Sequence, residues 1–299
     1  MRIFSTPWVL LLLTGFCLGL QLPFGRVAGA AGVPSITWSF VISAGAALVL
    51  GSASMATGQM RWPDAARWRF FAVTALVSYA LPNLIMFTVI PKVGAGYAGI
   101  MFTLSPICTL LLAAVLGLKR PGALGVAGIG AGFLGALLVA VTRGGLDQPA
   151  APGWIALALL IPALLAAGNV YHTLDWPKDA APIELAVGSN AMSAALLAGL
   201  AVALTGGLHL GALGAAPLLT AAQVASASAM FALFFRLQQA GGPVYLSQIG
   251  YIAAAVGLAF GTLVFGEHYP LAAWIGAGLI VAGVAATTVA QQARPAPPL

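Results

Sequence analysis

The sequence predicts an all-α polytopic membrane protein with ten transmembrane helices arranged as two inverted five-helix repeats. Of its 299 residues, 61% are hydrophobic and only 18 (12 Lys and Arg plus 6 Asp and Glu) carry formal charge. Nine long stretches free of charge can each hold a helix of about 20 residues, the length that crosses the hydrocarbon core. Almost nothing is left outside the bilayer, so the composition excludes a soluble catalytic domain.

The longest charge-free stretch, residues 185–235, is predicted to contain two spans because glycines between Gly206 and Gly214 interrupt it near its middle. The count of predicted spans is therefore ten. They cover residues 7–25, 34–53, 69–90, 95–117, 122–141, 153–171, 184–205, 217–236, 243–265 and 270–290.

A shift of 148 residues brings the two halves of the chain into register without a gap. It aligns Pro34 with Pro182, Gly51 with Gly199, Phe87 with Phe235, Gly94 with Gly242 and Tyr97 with Tyr245. We therefore predict a first repeat over residues 1–145, a second over 146–292 and a disordered tail over 293–299. Five helices per repeat is an odd number, so the second repeat enters the membrane from the opposite side.

The positive charges sort by loop, which predicts that both termini lie in the cytoplasm. The predicted location is a bacterial inner membrane. The cytoplasmic set is Arg2, Arg61, Arg67, Arg69, Lys119, Arg120, Lys178, Arg236 and Arg294, against Arg26, Lys92 and Arg143 outside. Lys119 and Arg120 align with Glu267 and His268 in the second half. If the second repeat is inverted, these two positions lie on the outer side of the membrane, and the basic pair is missing there.

The segment Tyr79–Pro106 carries two prolines inside predicted spans. Proline has no backbone N–H, so Pro82 cannot donate a helical hydrogen bond to the carbonyl of Ser78, and Pro106 cannot donate one to the carbonyl of Phe102. In a membrane such freed carbonyls are tolerated beside a cavity. The aligned second-half residues are Met230, Phe231 and Ala254, which replace Pro82, Asn83 and Pro106. We expect both halves to contain this helical hairpin. We expect the binding surface to be asymmetric, with most of its polar groups supplied by the first half.

Candidate substrate-binding residues are the amide, hydroxyl and aromatic side chains on the faces of these spans. They are Gln21, Tyr79, Asn83, Tyr97, Ser105, Trp154, Asn169, Gln223, Tyr245 and Gln248. Gln21 and Asn169 align in the repeat, so each half presents one amide at equivalent depth. The alternative is that these groups only bond one another between helices, and that Tyr97 and Tyr245 are interface anchors rather than opposed gates.

Catalytic and metal-binding patterns are missing from the sequence. No acidic residue lies in the middle of a predicted span, which weakens a proton relay there and leaves uniport, exchange, or coupling through Glu267 or a histidine open. His172, His209 and His268 have no ligand partners at metal spacing. We therefore predict no enzyme activity, no cofactor and no metal.

The chain resembles the EamA family of the drug/metabolite transporter superfamily. The likeness rests on the ten short spans, on Gly266 and Glu267 before Pro270, on Ser105 and Pro106, and on spaced glycines in spans five and ten. It implies a central cavity lined by spans 1, 3, 4, 6, 8 and 9, in a family of mostly metabolite exporters. The first half departs from the pattern at Gly117–Lys119, where the family shows a glycine and a glutamate.

The predicted function is export of a small, uncharged or zwitterionic metabolite, such as an amino acid, by alternating access. A carrier of sugar nucleotides or phosphorylated metabolites is the alternative and would need Arg26, Lys92 or Arg236 to pair with phosphate. A non-transport membrane protein ranks third. The expected partners are a small-molecule substrate and the lipid bilayer, without nucleic acid, and the oligomeric state is open, with a monomer among the options.

Overall fold

The computed structural model describes residues 6–58, 63–117, 122–142 and 150–292, and these residues are helical with short connections and no strand. The helices are α1 Pro7–Ala30, α2 Ser35–Ala56, α3 Ala65–Thr74, α4 Leu81–Val93, α5 Ala95–Phe102, α6 Ser105–Val115, α7 Ala123–Val141, α8 Pro152–Leu174, α9 Pro182–Thr205, α10 Pro217–Ser247, α11 Ile249–Leu263 and α12 Leu271–Gln292. The predicted tail and the predicted loop charges Arg2, Arg61, Lys119, Arg120, Arg143 and Arg294 lie outside the described residues.

Seven helical segments of the described chain are long and apolar enough to cross a membrane. They are Trp8–Ala30, Ser35–Ala56, Ala65–Val93, Ala95–Val115, Pro152–Leu174, Pro182–Thr205 and Pro217–Ala240. Three shorter apolar helices cover Ala123–Val139, Ile249–Leu263 and Leu271–Gly283. The all-helical, multi-pass part of the prediction is therefore confirmed, whereas ten spans in two repeats stay a prediction.

Prolines and one aspartate begin several helices. Pro152 and Pro182 occupy the first turn of α8 and α9, where the missing N–H costs nothing because first-turn amides have no partner within the helix. Asp64 caps α3, and its Oδ1 accepts a 2.9 Å bond from the Arg67 amide. Local sequence thus explains where these helices start.

Pro82 and Pro106 change the backbone in different ways. Ahead of Pro82 the chain widens into a π-helical turn, Ala75–Ala80, in which the Leu81 N–H donates to the carbonyl of Leu76. Before Pro106 the helix breaks at residues 103 and 104, and α6 starts again at Ser105. The helix containing Pro82 is therefore continuous from α3 to α4, while the one containing Pro106 is interrupted.

The prediction of a shared hairpin is wrong in the second half. Gly94 separates α4 from α5 with a φ of +92°, but the aligned Gly242 lies inside α10, which continues to Ser247. A break leaves the first amides of the next helix without partners. Glu267 accepts from two such amides after Gly94, whereas the residue aligned with Glu267 is Lys119, which cannot accept. An uninterrupted helix keeps these amides bonded instead.

Glycines allow α7 and α12 to pack backbone against backbone. A Cβ on Gly283 would lie 2.5 Å from the carbonyl oxygen of Gly128 and 2.6 Å from the amide nitrogen of Gly132. Gly128 and Gly132 have the small-xxx-small spacing that lets membrane helices approach closely. These glycines therefore let the backbones of α7 and α12 lie in direct contact.

We expect Gly276→Ala to destabilise this helix pair, because its Cβ would lie 2.7 Å from the carbonyl oxygen of Gly135. Overpacking of this kind costs about 1–3 kcal/mol. Gly278→Ala is the matched control, since its Cβ would meet no atom within 4 Å. Thermal unfolding in detergent should show a lower midpoint for Gly276→Ala alone, and equal midpoints would contradict the close packing.

Candidate functional site

A cavity of about 710 Å³, including the space at its mouth, lies at the crossing of α1, the π turn, α4, α5, α6, α8, α10 and α11. None of its lining residues comes from α2, α7, α9 or α12. These lining helices correspond to spans 1, 3, 4, 6, 8 and 9 of the sequence, and the four others lie outside. A concave, largely apolar cavity with a few polar groups is the usual form of a small-molecule site.

The polar lining residues of the cavity, which we call its polar wall, come mostly from the first half of the chain. Ser78, Tyr79, Asn83 and Ser105 line it, and Asn169 of α8 adds an amide from the second half. The Tyr79 hydroxyl is buried without a partner in the described chain. These side chains offer both donors and acceptors but no charge.

The apolar lining residues, which we call the apolar wall, come mainly from the second half. Its residues are Leu18, Met86, Phe102, Leu165, Met230, Phe231, Phe234, Leu246 and Ile249. The ring of Phe231 packs against that of Tyr79 with centroids 4.6 Å apart, so the two walls meet there. Among the described residues, no Lys, Arg, Asp or Glu lines the cavity.

Gly250 brings the interrupted helix close to the cavity. A Cβ at Gly250 would lie 2.7 Å from the carbonyl oxygen of Phe102, and both residues line the cavity. Pro106 cannot donate to that carbonyl, as the sequence predicts. Phe102 and Gly250 are also aligned by the 148-residue shift. The pair therefore combines a backbone acceptor with a glycine that leaves room beside it.

Residues 6–141 match the model of the EamA-like transporter family. The matched segment is 136 of the 299 residues, and over it the chain is similar to that family. The match is consistent with the drug/metabolite transporter superfamily and supports the expected transporter class. It spans the first half, which supplies most of the polar wall.

Other comparisons bear on the fold alone. No curated protein matches the chain. A solved structure titled "Crystal structure of protein" superimposes with a TM-score of 0.63 and 19% sequence identity, covering 93% of this chain and 96% of that one. At this identity the likeness shows a shared fold and says nothing about substrate.

Only four of the ten predicted site residues line the cavity: Tyr79, Asn83, Ser105 and Asn169. Gln21, Tyr97 and Gln223 are buried elsewhere in the helix packing, and Trp154 and Gln248 are partly buried away from the cavity. The Tyr245 side chain lies outside the described residues.

Sequence reasoning did not predict Ser78 as a cavity side chain. Its hydroxyl faces α8, where a Cβ on Gly168 would lie 2.0 Å from the Ser78 Oγ. The Oγ also lies 3.4 Å from the Nε2 of His172. The π turn rotates Ser78 relative to a regular helix, so helical spacing from Asn83 does not locate it. Two features of the sequence could have indicated Ser78. It lies four residues before Pro82, and Gly168, which leaves room for its hydroxyl, lies one residue before Asn169.

An aromatic cluster surrounds His172 on the side of the cavity toward α3. The centroids of the Phe70, Phe234 and Phe235 rings lie 5.5, 5.9 and 5.7 Å from that of His172. The imidazole is 1% exposed, and its Nδ1 has no partner in the described chain. Ser78 is its polar neighbour, so the structure gives His172 a packing role beside the cavity.

Two ion pairs join α3 to the second half at what we call the Arg67 end. Arg67 Nε lies 2.5 Å from Glu184 Oε1, and its Nη1 lies 2.7 Å from Asp64 Oδ2. Arg69 contacts both carboxylate oxygens of Asp175, at 2.5 and 3.1 Å. The bond from the Arg67 amide holds the pKa of Asp64 below its usual value. Both pairs tie the halves together outside the cavity.

Glu267 lies at the opposite end, which we call the Glu267 end. Its Oε1 is 3.0 Å from Arg26 Nη1 and accepts a 2.8 Å bond from the Ala95 amide. Its Oε2 accepts from the Gly96 amide at 3.1 Å and from the Tyr269 hydroxyl. Burial raises the pKa of Tyr269, which keeps this hydroxyl a donor. Glu267 is thus fully bonded and does not face the cavity.

Proposed function

We propose that this protein is a secondary transporter that moves small, neutral or zwitterionic, partly apolar metabolites by alternating access. The observation that carries the proposal is the two-walled cavity, which pairs amide and hydroxyl groups with Phe and Met side chains and has no described charged residue. A polar head group would bond to Asn83 and Asn169, while an apolar part would pack on Met230 and Phe231. An isolated net charge would be costly in such a site.

We further propose ten spans in two inverted repeats, over residues 1–145 and 146–292. Two pairs of helices that the 148-residue shift aligns are packed against each other, namely α2 with α9 and α7 with α12. This pairing is what a two-fold axis in the membrane plane would produce. Inverted repeats with a site at their interface are typical of alternating-access transporters.

The proposed orientation places the Arg67 end in the cytoplasm. Arg67, Arg69 and Lys178 lie at this end, while Arg26 and Lys92 lie at the Glu267 end. Cytoplasmic loops of membrane proteins carry the excess of Lys and Arg. We propose a bacterial inner membrane, and export as the direction because the resembling transporters are mostly exporters.

A carrier of phosphorylated metabolites ranks lower because the candidate cations are engaged elsewhere. Arg26 pairs with Glu267 and lies 5.3 Å from the centroid of the Phe265 ring. Lys92 Nζ lies 5.9 Å from the Trp154 ring centroid, and Arg236 is exposed on α10. Phosphate recognition requires such groups to face the ligand. A phosphorylated solute that binds as tightly as the best neutral one would reverse this ranking.

Ligand binding to the purified protein tests the assignment of the cavity. We expect neutral and zwitterionic metabolites from a broad panel to raise the thermal unfolding midpoint, since a ligand that binds the folded state stabilises it. Asn83→Ala should weaken that shift. Thr88→Val on the same helix is the matched control, because the Thr88 hydroxyl bonds to its own helix at the Leu84 carbonyl and does not line the cavity. Equal shifts in both variants would contradict the cavity assignment.

A further inference from the structure

We propose that Glu267 is a latch that closes the Glu267 end of the cavity by occupying, with its own carboxylate, an anion-binding site built from three separate segments. The segments are the end of α1, the start of α5 and the connection between α11 and α12. This goes beyond the transport proposal, because it assigns a chemical group to the opening of one end.

The site is built around a carboxylate. The Glu267 side chain is 0% exposed, and it receives two backbone amides of α5, the Arg26 guanidinium and the Tyr269 hydroxyl. Charge-assisted bonds of this kind are stronger than bonds between neutral groups. The amides at the N-terminus of α5 add the favourable end of the helix dipole. Every lone-pair direction of the carboxylate therefore has a donor.

Glycines make the space for this carboxylate. A Cβ on Gly94 would lie 2.9 Å from the Glu267 carboxyl carbon, and one on Gly261 would lie 2.6 Å from its Oε2. A Cβ on Gly96 would lie 2.3 Å from the Tyr269 hydroxyl oxygen. Gly94 also has a φ of +92°, which lets the chain turn so that the next two amides point at Glu267. Side chains here would displace the carboxylate or its donors.

The latch joins helices that must separate for this end to open. Arg26 and α5 belong to the first half, whereas Glu267 belongs to the second, and α1, α5 and α11 all line the cavity. Between the latch and the cavity, Ile90 lies one turn beyond the cavity residue Met86 and is fully buried. We therefore expect opening of this end to require both the packing at Ile90 and the contacts of Glu267 to give way.

Within the part of the chain that the structure describes, the latch has no counterpart at the Arg67 end. The position aligned with Glu267 is Lys119, and Gly242, aligned with Gly94, lies within the continuous helix α10. The two ends of this cavity are thus closed by different chemistry, and a change at Glu267 should act on one end only.

Alkylation of a buried cysteine tests the latch without any substrate. The free cysteines Cys17 and Cys108 are first replaced by Ala, and Ile90→Cys is introduced as the reporter. We expect Glu267→Gln to raise the maleimide reaction rate of the reporter about tenfold, as a shift toward the open state would. Glu184→Gln, which alters the buried carboxylate at the Arg67 end, is the matched control and should change the rate less than about twofold.

Chemical rescue separates a latch from a general structural role. In Glu267→Ala, added sodium acetate should fill the vacated site and return the alkylation rate toward that of the parent protein, whereas sodium chloride should not. An unchanged rate in Glu267→Gln, an equal rise in Glu184→Gln, or no effect of acetate would each overturn the proposal. No transported solute is used, so a failure of the transport proposal leaves this result unaffected. Active transport together with an unchanged alkylation rate in Glu267→Gln would refute the latch and leave the transport proposal in place.

Discussion

Asn169→Asp is expected to lower the affinity for neutral solutes about 100-fold while leaving the helix packing in place. A carboxylate has nearly the shape of the amide, so the substitution adds little more than a charge to the cavity wall. A partly apolar solute would have to strip water from that charge, and a charge at the centre of a membrane costs about 2.5–3.5 kcal/mol. Since about 1.4 kcal/mol corresponds to a factor of ten, the loss is about two orders of magnitude. Isothermal titration with the best ligand of the wild-type protein measures it.

Asn190→Asp provides the control for this experiment. Asn190 is fully buried in α9, its Nδ2 bonds to the Ala186 carbonyl at 2.9 Å, and it does not line the cavity. A carboxylate there should lower the thermal stability but leave the affinity of the folded protein unchanged. If Asn169→Asp binds neutral solutes as well as the wild type does, Asn169 is not part of the binding surface.

Glu184→Ala is expected to lower the free energy of unfolding by about 3 kcal/mol, because it leaves the buried Arg67 without its main partner. Arg67 is 9% exposed, and its other partner, Asp64, has a side chain that is 59% exposed. Denaturant unfolding in detergent measures the change. The double variant Arg67→Met with Glu184→Leu should recover much of the loss, since apolar residues can replace a buried pair.

Asp175→Asn is the matched comparison, because the Arg69–Asp175 pair is far more exposed, with side-chain exposures of 64% and 26%. Exposed pairs contribute about 0–1 kcal/mol. A loss in Asp175→Asn as large as that in Glu184→Ala would show that burial does not decide the strength of these pairs.

The helix positions could be predicted because the length of each apolar stretch can be read from the sequence. The segment Ala95–Val115 matches the predicted span 95–117 closely, and α9 begins within two residues of its predicted start at 184. The end of α10 could not be predicted in the same way. Gly241–Pro243 favours a turn locally, yet α10 continues through it. A break would free backbone amides that need an acceptor, and whether one is present depends on residues distant in the sequence.

The cavity could be predicted only in part, because helical spacing does not tell which buried partner a face meets. Asn83 and Asn169 face the cavity, whereas Gln223 is 0% exposed in helix packing with both side-chain polar atoms lacking a described partner. In the sequence each of these residues is simply an amide side chain within a predicted span, so the sequence does not distinguish them. The role of Glu267 was equally hidden, since its donors Ala95 and Gly96 are 172 and 171 residues away along the chain.

Solute flux through the purified protein in liposomes tests the central claim most directly, namely that the two-walled cavity carries a small neutral or zwitterionic metabolite across the membrane. Met230→Trp narrows the cavity from its apolar wall, and Thr88→Val leaves the lining unchanged. We predict saturable flux of at least one such metabolite in the wild type and in Thr88→Val, and its loss in Met230→Trp. Flux that persists undiminished in Met230→Trp, or no saturable flux across the panel, would contradict the account.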